Sequence, residues 1–260
     1  MEELGDFSSK NYEYMQLGSG EGNIDHNDKY VIFTAKERNN DNVIAILFDI
    51  EKRKEIWTKE LEKSSWGKEY TEEGNARARF DWITISPKGK YILVNKMVED
   101  EGGNYDYHKS AIFIYDRENM SNEKILSNQG SHGDMGVNEN GEEMYVQFEY
   151  GGHIGIWGYN LDILEMIQLL PKKYAGGHVS CQNYKRDGWC YLSTNEESYR
   201  EVFALKLDGS GLVNRFAQTH TSGHSSMVNV SPDGSELLFL SDWDNGGTKD
   251  TYNVRFEIDN

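Results

Sequence analysis

The sequence predicts an all-β fold, a β-propeller of about five four-stranded antiparallel blades. One observation is a hairpin pattern that recurs five times, at a spacing of about 45 to 60 residues against the roughly 40 to 50 of blade repeats. Two further β-rich runs follow most of these hairpins, and no segment has a clear amphipathic helical period. A chain of 260 residues can form one such domain. We therefore expect a single propeller domain over residues 1–260.

The first two strands of each unit are marked by turn residues between β-branched or aromatic runs. These hairpins cover Gly22–Ala35, Trp82–Val94, Met135–Tyr150, His178–Leu192 and Met227–Leu240. Asn140-Gly141 is typical of a tight hairpin turn. In the Ser-Pro-x-Gly turns at residues 86–89 and 231–234, proline presets φ and glycine accepts the left-handed position.

Third and fourth strands follow in order along the chain. The predicted third strands are Val43–Ile50, Ser110–Asp116, Ile154–Tyr159, Glu201–Leu207 and Thr251–Ile258. The predicted fourth strands are Lys54–Thr58, Lys124–Leu126, Glu165–Leu169 and Val213–Ala217, although Leu161–Leu170 also permits a helix. The fifth unit stops after its third strand. Either Tyr12–Gln16 supplies the missing strand and closes the ring, or the chain is cut short at its C-terminus.

Charge and hydropathy limit the classes of partner. The chain has 27 Lys and Arg against 44 Asp and Glu, a net charge of -17, which argues against nucleic acid and anionic membranes. No stretch has the roughly 18 apolar residues of a membrane span, and the first residues do not resemble a signal peptide. As written, the chain is expected to be a cytoplasmic monomer; if the native N-terminus is missing, a secreted or periplasmic protein is expected.

Several polar residues are predicted to converge on one face. In a propeller blade, the start of strand one and the loop between strands two and three lie at the same end. By this rule His132 and His178 start first strands, and His153 and Tyr199 lie in two-to-three loops. Arg215 lies on a fourth strand that runs to the same face. Histidine and tyrosine can move protons, and arginine can bind a carboxylate in bidentate fashion. The set suits proton abstraction next to a carboxylate.

The order and spacing of His132, His153, Tyr199 and Arg215, within the Ser-Pro-x-Gly hairpins and the run Gly177–Cys190, resemble the propeller-type ulvan lyases. The Ser-Pro-x-Gly hairpins themselves resemble the repeats of TolB-like propellers. The ulvan lyase resemblance implies a seven-bladed enzyme that cleaves sulfated rhamnose-uronate polymers by β-elimination. It implies that Arg215 neutralises the uronate, that His132 and His153 flank the sugar, and that Tyr199 transfers the proton.

Two departures from that family stand out: about five blades instead of seven, and no export signal. A fragment of a longer protein explains both. The related oligogalacturonate lyases have a metal site with a His-x-His pair, which this sequence lacks. The alternative function is a non-catalytic propeller that binds a protein or a glycan through the same face.

The two cysteines suggest a second site. If residues 186–187 form the centre of the turn, Asn183 pairs with Cys190, and Cys181 becomes a diagonal neighbour of Cys190. With His178, and with His224 or His220, these cysteines would form a structural zinc site. The alternative is that they pack as small hydrophobic residues. No organic cofactor is expected.

Three more residues are candidates for contact with an anionic polysaccharide or oligosaccharide. Arg77 and Arg79 precede a first strand, and Asn183 belongs to the fourth hairpin. For the two arginines, exposure to solvent without a function is the alternative.

Overall fold

A computed structural model describes residues 5–17, 24–38, 43–61, 82–99, 105–130, 132–149, 153–171, 174, 176–194, 200–221 and 226–257. The regular elements in these ranges are β-strands that form five antiparallel sheets. The chain divides into two compact units, Met1–Gly130 and Ser131–Asn260. Four sheets have four strands in sequence order and the fifth has three, which confirms the predicted blade pattern.

The first unit contains two sheets. The strands of the first sheet are β1 (Tyr12–Leu17), β2 (Tyr30–Glu37), β3 (Val43–Asp49) and β4 (Lys54–Glu60). Those of the second are β5 (Trp82–Ile85), β6 (Tyr91–Glu99), β7 (Tyr105–Asp116) and β8 (Ser121–Ser127). Strand β1 pairs with β2, with Leu17 opposite Phe33, while Ile24 forms a single bridge to Val31. The proposed closure of the fifth sheet by Tyr12–Gln16 is therefore wrong, because this segment is the edge strand of the first sheet.

The second unit contains three sheets. The third sheet is β9 (Gly133–Val137), β10 (Glu143–Glu149), β11 (Gly155–Asn160) and β12 (Met166–Pro171). The fourth is β13 (Gly177–Ser180), β14 (Trp189–Thr194), β15 (Glu201–Lys206) and β16 (Val213–Gln218). The fifth is β17 (Asn229–Val230), β18 (Glu236–Ser241) and β19 (Asp250–Arg255). The region that also permitted a helix ends in strand β12.

The hairpin turns follow the predicted chemistry. Gly89, Gly141 and Gly234 have positive φ angles of 67°, 77° and 75°. Each glycine donates its N–H to the carbonyl three residues earlier, at 2.8 to 2.9 Å. A side chain at the start of each turn also accepts backbone N–H groups, as Ser86 Oγ does from Lys90 and Tyr91 at 3.1 and 3.0 Å. Local turn chemistry therefore fixes where each first strand ends.

Strand alternation builds the core of the second unit. Met144, Val146 and Phe148 of β10 belong to one buried apolar cluster together with Leu192 of β14 and Phe203 of β15. The alternate β10 residues Tyr145, Gln147 and Glu149 are also buried, on the opposite face. Two of the polar groups on this face meet at Glu149, since both the Gln147 amide and the Tyr159 hydroxyl donate to Glu149 Oε1. Within the described ranges, no helix is long and apolar enough to cross a membrane.

Gly177 provides a test of this packing. It has φ 147°, and a Cβ atom there would lie 1.7 Å from the carbonyl oxygen of Ser193 on the paired strand β14. We expect Gly177→Ala to lower the free energy of unfolding by about 3 kcal/mol or more, because the strand pair must separate. The measurement is the urea unfolding midpoint.

Gly247→Ala is the matched control. A Cβ atom at Gly247 meets nothing within 4 Å, so this variant should stay within about 0.5 kcal/mol of the parent protein. Equal stability of the two variants would contradict the close approach at Gly177.

Candidate functional site

The two cysteines are joined as a disulfide, and both are fully buried. Strand β13 pairs with β14 so that Ser180 lies opposite Tyr191, which places Cys181 directly opposite Cys190. The predicted register was two residues away and made the cysteines diagonal neighbours. Directly opposed positions have Cβ atoms close enough for a disulfide. The zinc prediction needs two thiolates, so the structure corrects it: the sulfurs bind each other.

The other predicted zinc ligands do not complete a site. His178 lies on β13, and His224 is outside the described residues. The alternative ligand His220 contacts Asp244, with Nδ1 and Oδ2 3.4 Å apart. Among the described residues, no group of three or more His, Cys, Asp or Glu side chains is arranged to bind a metal ion. These residues therefore do not fit a metal centre.

A buried carboxylate connects the disulfide to the third sheet. Asp134 of β9 accepts hydrogen bonds from the Cys181 N–H at 2.6 Å, from the Gln182 amide at 2.8 Å and from the Met135 N–H at 2.7 Å. Two residues on, a Cβ atom at Gly136 would lie 3.0 Å from the Cβ of Cys181. Glycine at this position lets β9 approach the disulfide closely. Strands β9 and β13 are thus held side by side.

This arrangement brings together the residues that begin the two strands. His132 precedes β9 and is exposed, while His178 lies on β13 and is partly buried. Their imidazole centroids are 6.3 Å apart. The prediction that the starts of first strands converge is therefore confirmed for this pair. His178 was predicted as a zinc ligand, and it lies instead beside His132.

The histidine pair has a cationic neighbour. Burial lowers the pKa of His178, and the positive charges of His132 and Lys249 lower it further. The imidazole of His178 is therefore neutral near pH 7 and can accept a proton. Lys249 lies in the loop between β18 and β19. Lys249 was not among the residues predicted from the sequence, although its loop belongs to the same class of two-to-three connections as those of His153 and Tyr199.

His153 and Arg215 have separate partners. The ring of His153 packs edge-on against Trp157 at 5.6 Å, and the Trp157 indole N–H donates to the His153 carbonyl at 2.5 Å. Arg215 donates through Nε to both carboxylate oxygens of Glu201, at 3.0 and 3.1 Å. Its Nη2 atom donates to the hydroxyl of Tyr174 at 3.0 Å. Arg215 therefore already binds a carboxylate, that of the buried Glu201.

The remaining predicted residues fall into two groups. Tyr199, Arg77 and Arg79 lie outside the described residues. Asn183 is buried, and its side chain donates to the carbonyl of Trp189 at 2.8 Å. This hydrogen bond closes the loop between β13 and β14, so Asn183 has a structural role in place of the predicted contact with substrate.

Comparison with known proteins gives likenesses in structure. No protein-family model matches the chain, and no curated protein matches it. An oligogalacturonate lyase solved in complex with manganese is similar with a TM-score of 0.57 at 13% identity, over 92% of this chain and 65% of the lyase. A TolB-like protein from Agrobacterium tumefaciens has a TM-score of 0.53 at 15% identity, over 94% of this chain and 82% of that protein.

The β-propeller domain of the Trilobed protease from Pyrococcus furiosus has a TM-score of 0.50 at 13% identity, over 94% of this chain and 69% of that one. At these identities the likenesses establish the fold, and the chain is a β-propeller of antiparallel blades, four of which have four strands among the described residues and one of which has three. The chain spans about two thirds of the length of the lyase.

Asp134 gives this region a measurable pH dependence. Burial raises the pKa of its carboxyl to about 6, against the opposing effect of the three hydrogen bonds. A carboxyl whose pKa is raised on folding binds its proton more tightly in the folded state, so stability falls as pH rises towards 6. Between about pH 5 and pH 8 we expect Asp134 to lower the free energy of unfolding by about 1 kcal/mol.

The measurement is urea unfolding of the parent protein and of Asp134→Asn at both pH values. The variant should be less stable at each pH, because the amide Nδ2 cannot accept hydrogen bonds from the N–H groups that Asp134 binds. It should also lack the pH-dependent change in the free energy of unfolding that Asp134 causes. If the free energies of unfolding of the parent and of Asp134→Asn changed equally with pH, this result would contradict the raised pKa of Asp134.

Proposed function

We propose that this chain is a polysaccharide lyase that cleaves a uronate-containing polymer or its oligomers by β-elimination. The observation that carries the proposal is the pair of imidazoles of His132 and His178, whose centroids are 6.3 Å apart, in a setting where burial, His132 and Lys249 lower the pKa of His178. An unprotonated base with a cation nearby is what proton abstraction next to a carboxylate requires.

The reaction assigns a task to each of these groups. The ammonium of Lys249 faces the uronate carboxylate and stabilises the negative charge that develops when the adjacent carbon loses its proton. His178 accepts that proton at a ring nitrogen. The electron pair forms the carbon-carbon double bond as the glycosidic carbon-oxygen bond breaks. The leaving oxygen takes a proton from His132 or from Tyr199, the proton donor that the ulvan lyase resemblance suggests.

Two further observations support this proposal. The oligogalacturonate lyase of similar fold acts on a uronate oligomer by its name, which is compatible with this chemistry on a propeller. The ulvan lyase resemblance, which includes His132 and His153, favours a sulfated rhamnose-uronate polymer as substrate. The enzyme would act on such an anionic polymer through local cations, despite its net charge of -17.

The buried disulfide bears on the compartment. Disulfides persist in oxidising environments and are rare in the cytosol. Together with a polymeric substrate, the Cys181–Cys190 bond favours a secreted or periplasmic protein. We therefore prefer this location to the cytoplasmic one that the sequence as written suggested.

A non-catalytic glycan-binding propeller is the second candidate. The Arg215–Glu201 pair favours it, because the arginine that was predicted to neutralise the uronate already binds a carboxylate of the protein. In that case the same end of the second unit binds a glycan without breaking a bond. The two candidates differ in whether an unsaturated uronate forms.

The first test mixes the purified chain with ulvan and, separately, with polygalacturonate, and follows the ultraviolet absorbance of unsaturated uronate. We expect absorbance to rise with one of them. His178→Ala should lower the rate by about 100-fold or more, because general-base catalysis is lost. Lys249→Ala should also lower it, with partial recovery in Lys249→Arg. Lys54→Ala removes an exposed lysine of the first unit and should leave the rate unchanged.

A folded sample that forms no product from either polymer, yet binds one of them, would point to the binding propeller. Full activity of His178→Ala would contradict the assigned base.

The second test concerns the ionisation of His178. Since Lys249 lowers the pKa of His178, Lys249→Ala should raise it towards the ordinary histidine value. The ring protons of His178, followed by NMR across the acid range, measure this change without any substrate. In the lyase, the acid limb of the rate should move to higher pH in the same variant, because the base must be unprotonated. If the pKa of His178 were unchanged in Lys249→Ala, the lysine charge would be too far from the ring to act on it, and the role given to Lys249 would be wrong.

A further inference from the structure

An exposed tryptophan lies in the loop that connects β18 to β19. Trp243 is 52% exposed, although large aromatic side chains usually bury most of their surface. Its indole lies 4.5 Å from the ring of His220 and 5.4 Å from that of Tyr252, with interplanar angles of 36° and 30°. The three rings form an aromatic platform that is supported from within the fifth sheet and from the segment after β16.

Hydrogen bonds fix the backbone of this platform. The Trp243 N–H donates to Ser241 Oγ at 2.9 Å, and Ser241 Oγ donates to the His220 carbonyl at 3.2 Å. The Asp244 N–H donates to the same carbonyl at 2.7 Å. The indole is therefore presented by an ordered turn.

The backbone is also strained where the platform is built. Trp243, Asp244 and His220 have positive φ angles of 51°, 62° and 46°. Residues other than glycine adopt this region at a cost of about 1 kcal/mol or more, and such strain clusters at functional sites. Although Trp243 packs on two rings, this tryptophan in the left-handed region leaves half its surface in water. A ligand that covers the indole would bury that surface.

Polar groups surround the indole. Asp244 contacts Arg200 through Oδ1 and His220 through Oδ2, each at 3.4 Å. These contacts are at the long end of hydrogen bonding and lie on side chains that are 27 to 53% exposed. A carboxylate acceptor and guanidinium donors therefore stand beside the indole, within reach of a ligand.

We propose that Trp243, with His220, Asp244 and Arg200, binds an uncharged pyranose residue of a polysaccharide. A pyranose has an apolar face of C–H groups that can cover the indole, and hydroxyls at its edge that need both donors and acceptors. A uronate is disfavoured because its carboxylate would meet that of Asp244, which is 53% exposed. Nucleobases are disfavoured because the net charge of -17 repels a phosphate backbone.

This site is continuous in sequence with the proposed catalytic groups. The β18–β19 loop carries Trp243 near its start and Lys249 at its end, so the two Cα atoms are at most about 22 Å apart. This upper limit is within the length of an oligosaccharide of a few sugars. The inference rests on the proposed function only in that it takes a glycan as the ligand, and it deepens that function: the substrate would contain uncharged sugars as well as uronates.

The test is direct binding of neutral tetrasaccharides, measured by titration calorimetry. The probes are tetrasaccharides of rhamnose, galactose, glucose and xylose, which have no carboxylate and cannot undergo β-elimination. We expect at least one to bind, and Trp243→Ala to weaken it by about tenfold, the loss of one stacking contact. Trp243→Phe should recover part of the affinity. Tyr184→Ala is the matched control, because Tyr184 is a 40% exposed aromatic residue of another loop, and it should leave binding unchanged.

Two outcomes overturn the inference: no binding of any probe at millimolar concentration, or binding that Trp243→Ala leaves intact. The absorbance assay reports the proposed lyase separately. Product formation without Trp243-dependent binding rejects this subsite alone, while Trp243-dependent binding without product rejects the lyase alone.

Discussion

The candidate site depends on the hydrogen bond between Asp134 and the backbone of Cys181. This 2.6 Å contact joins β9 to the end of β13, beside the disulfide and the close approach at Gly136. His132 precedes Asp134 by two residues, and His178 precedes Cys181 by three. The separation of the two imidazoles is therefore set by a buried carboxylate, because each histidine is only a few residues from the contact. A site built on strands in this way is more precise than one built on loops alone.

The local charge around His178 is positive, although the chain as a whole is strongly negative. Acidic residues outnumber basic ones by 17. His178 is nevertheless partly buried, and both His132 and Lys249 lower its pKa electrostatically. Each of these effects favours the neutral imidazole, because the charged form would lose solvation and meet like charge. A protein with a strong negative field thus contains, at His178, a local environment in which an anionic group can approach an unprotonated base.

The sequence predicted the blade pattern and the turns, since proline, glycine and strand alternation act locally. It did not predict the partner of β1, because pairing between distant segments is not encoded in either segment alone. It also missed the register of β13 with β14. The loop from Cys181 to Gly188 includes a tight hydrogen bond from the Asn183 N–H to the Cys181 carbonyl, at 2.8 Å, and so is not a simple turn centred on residues 186–187. Because the predicted register was wrong by two residues, the cysteines were placed diagonally and interpreted as zinc ligands, whereas they lie opposite each other and form a disulfide.

The role of Arg215 turns on the cost of separating it from Glu201. The Glu201 side chain is 5% exposed, and both of its carboxylate oxygens accept from Arg215 Nε. If a substrate carboxylate drew the guanidinium away, a buried charge would lose its partner, at a cost of about 3 to 5 kcal/mol. The hydroxyl of Tyr174 would lose its contact with Nη2 as well. Arg215 can therefore bind a uronate only through its remaining Nη1 edge, while Glu201 keeps the side chain in place. In the proposed lyase, this favours Lys249, whose charge already acts on His178, as the cation that stabilises the developing negative charge, and Arg215 as a residue that positions the substrate.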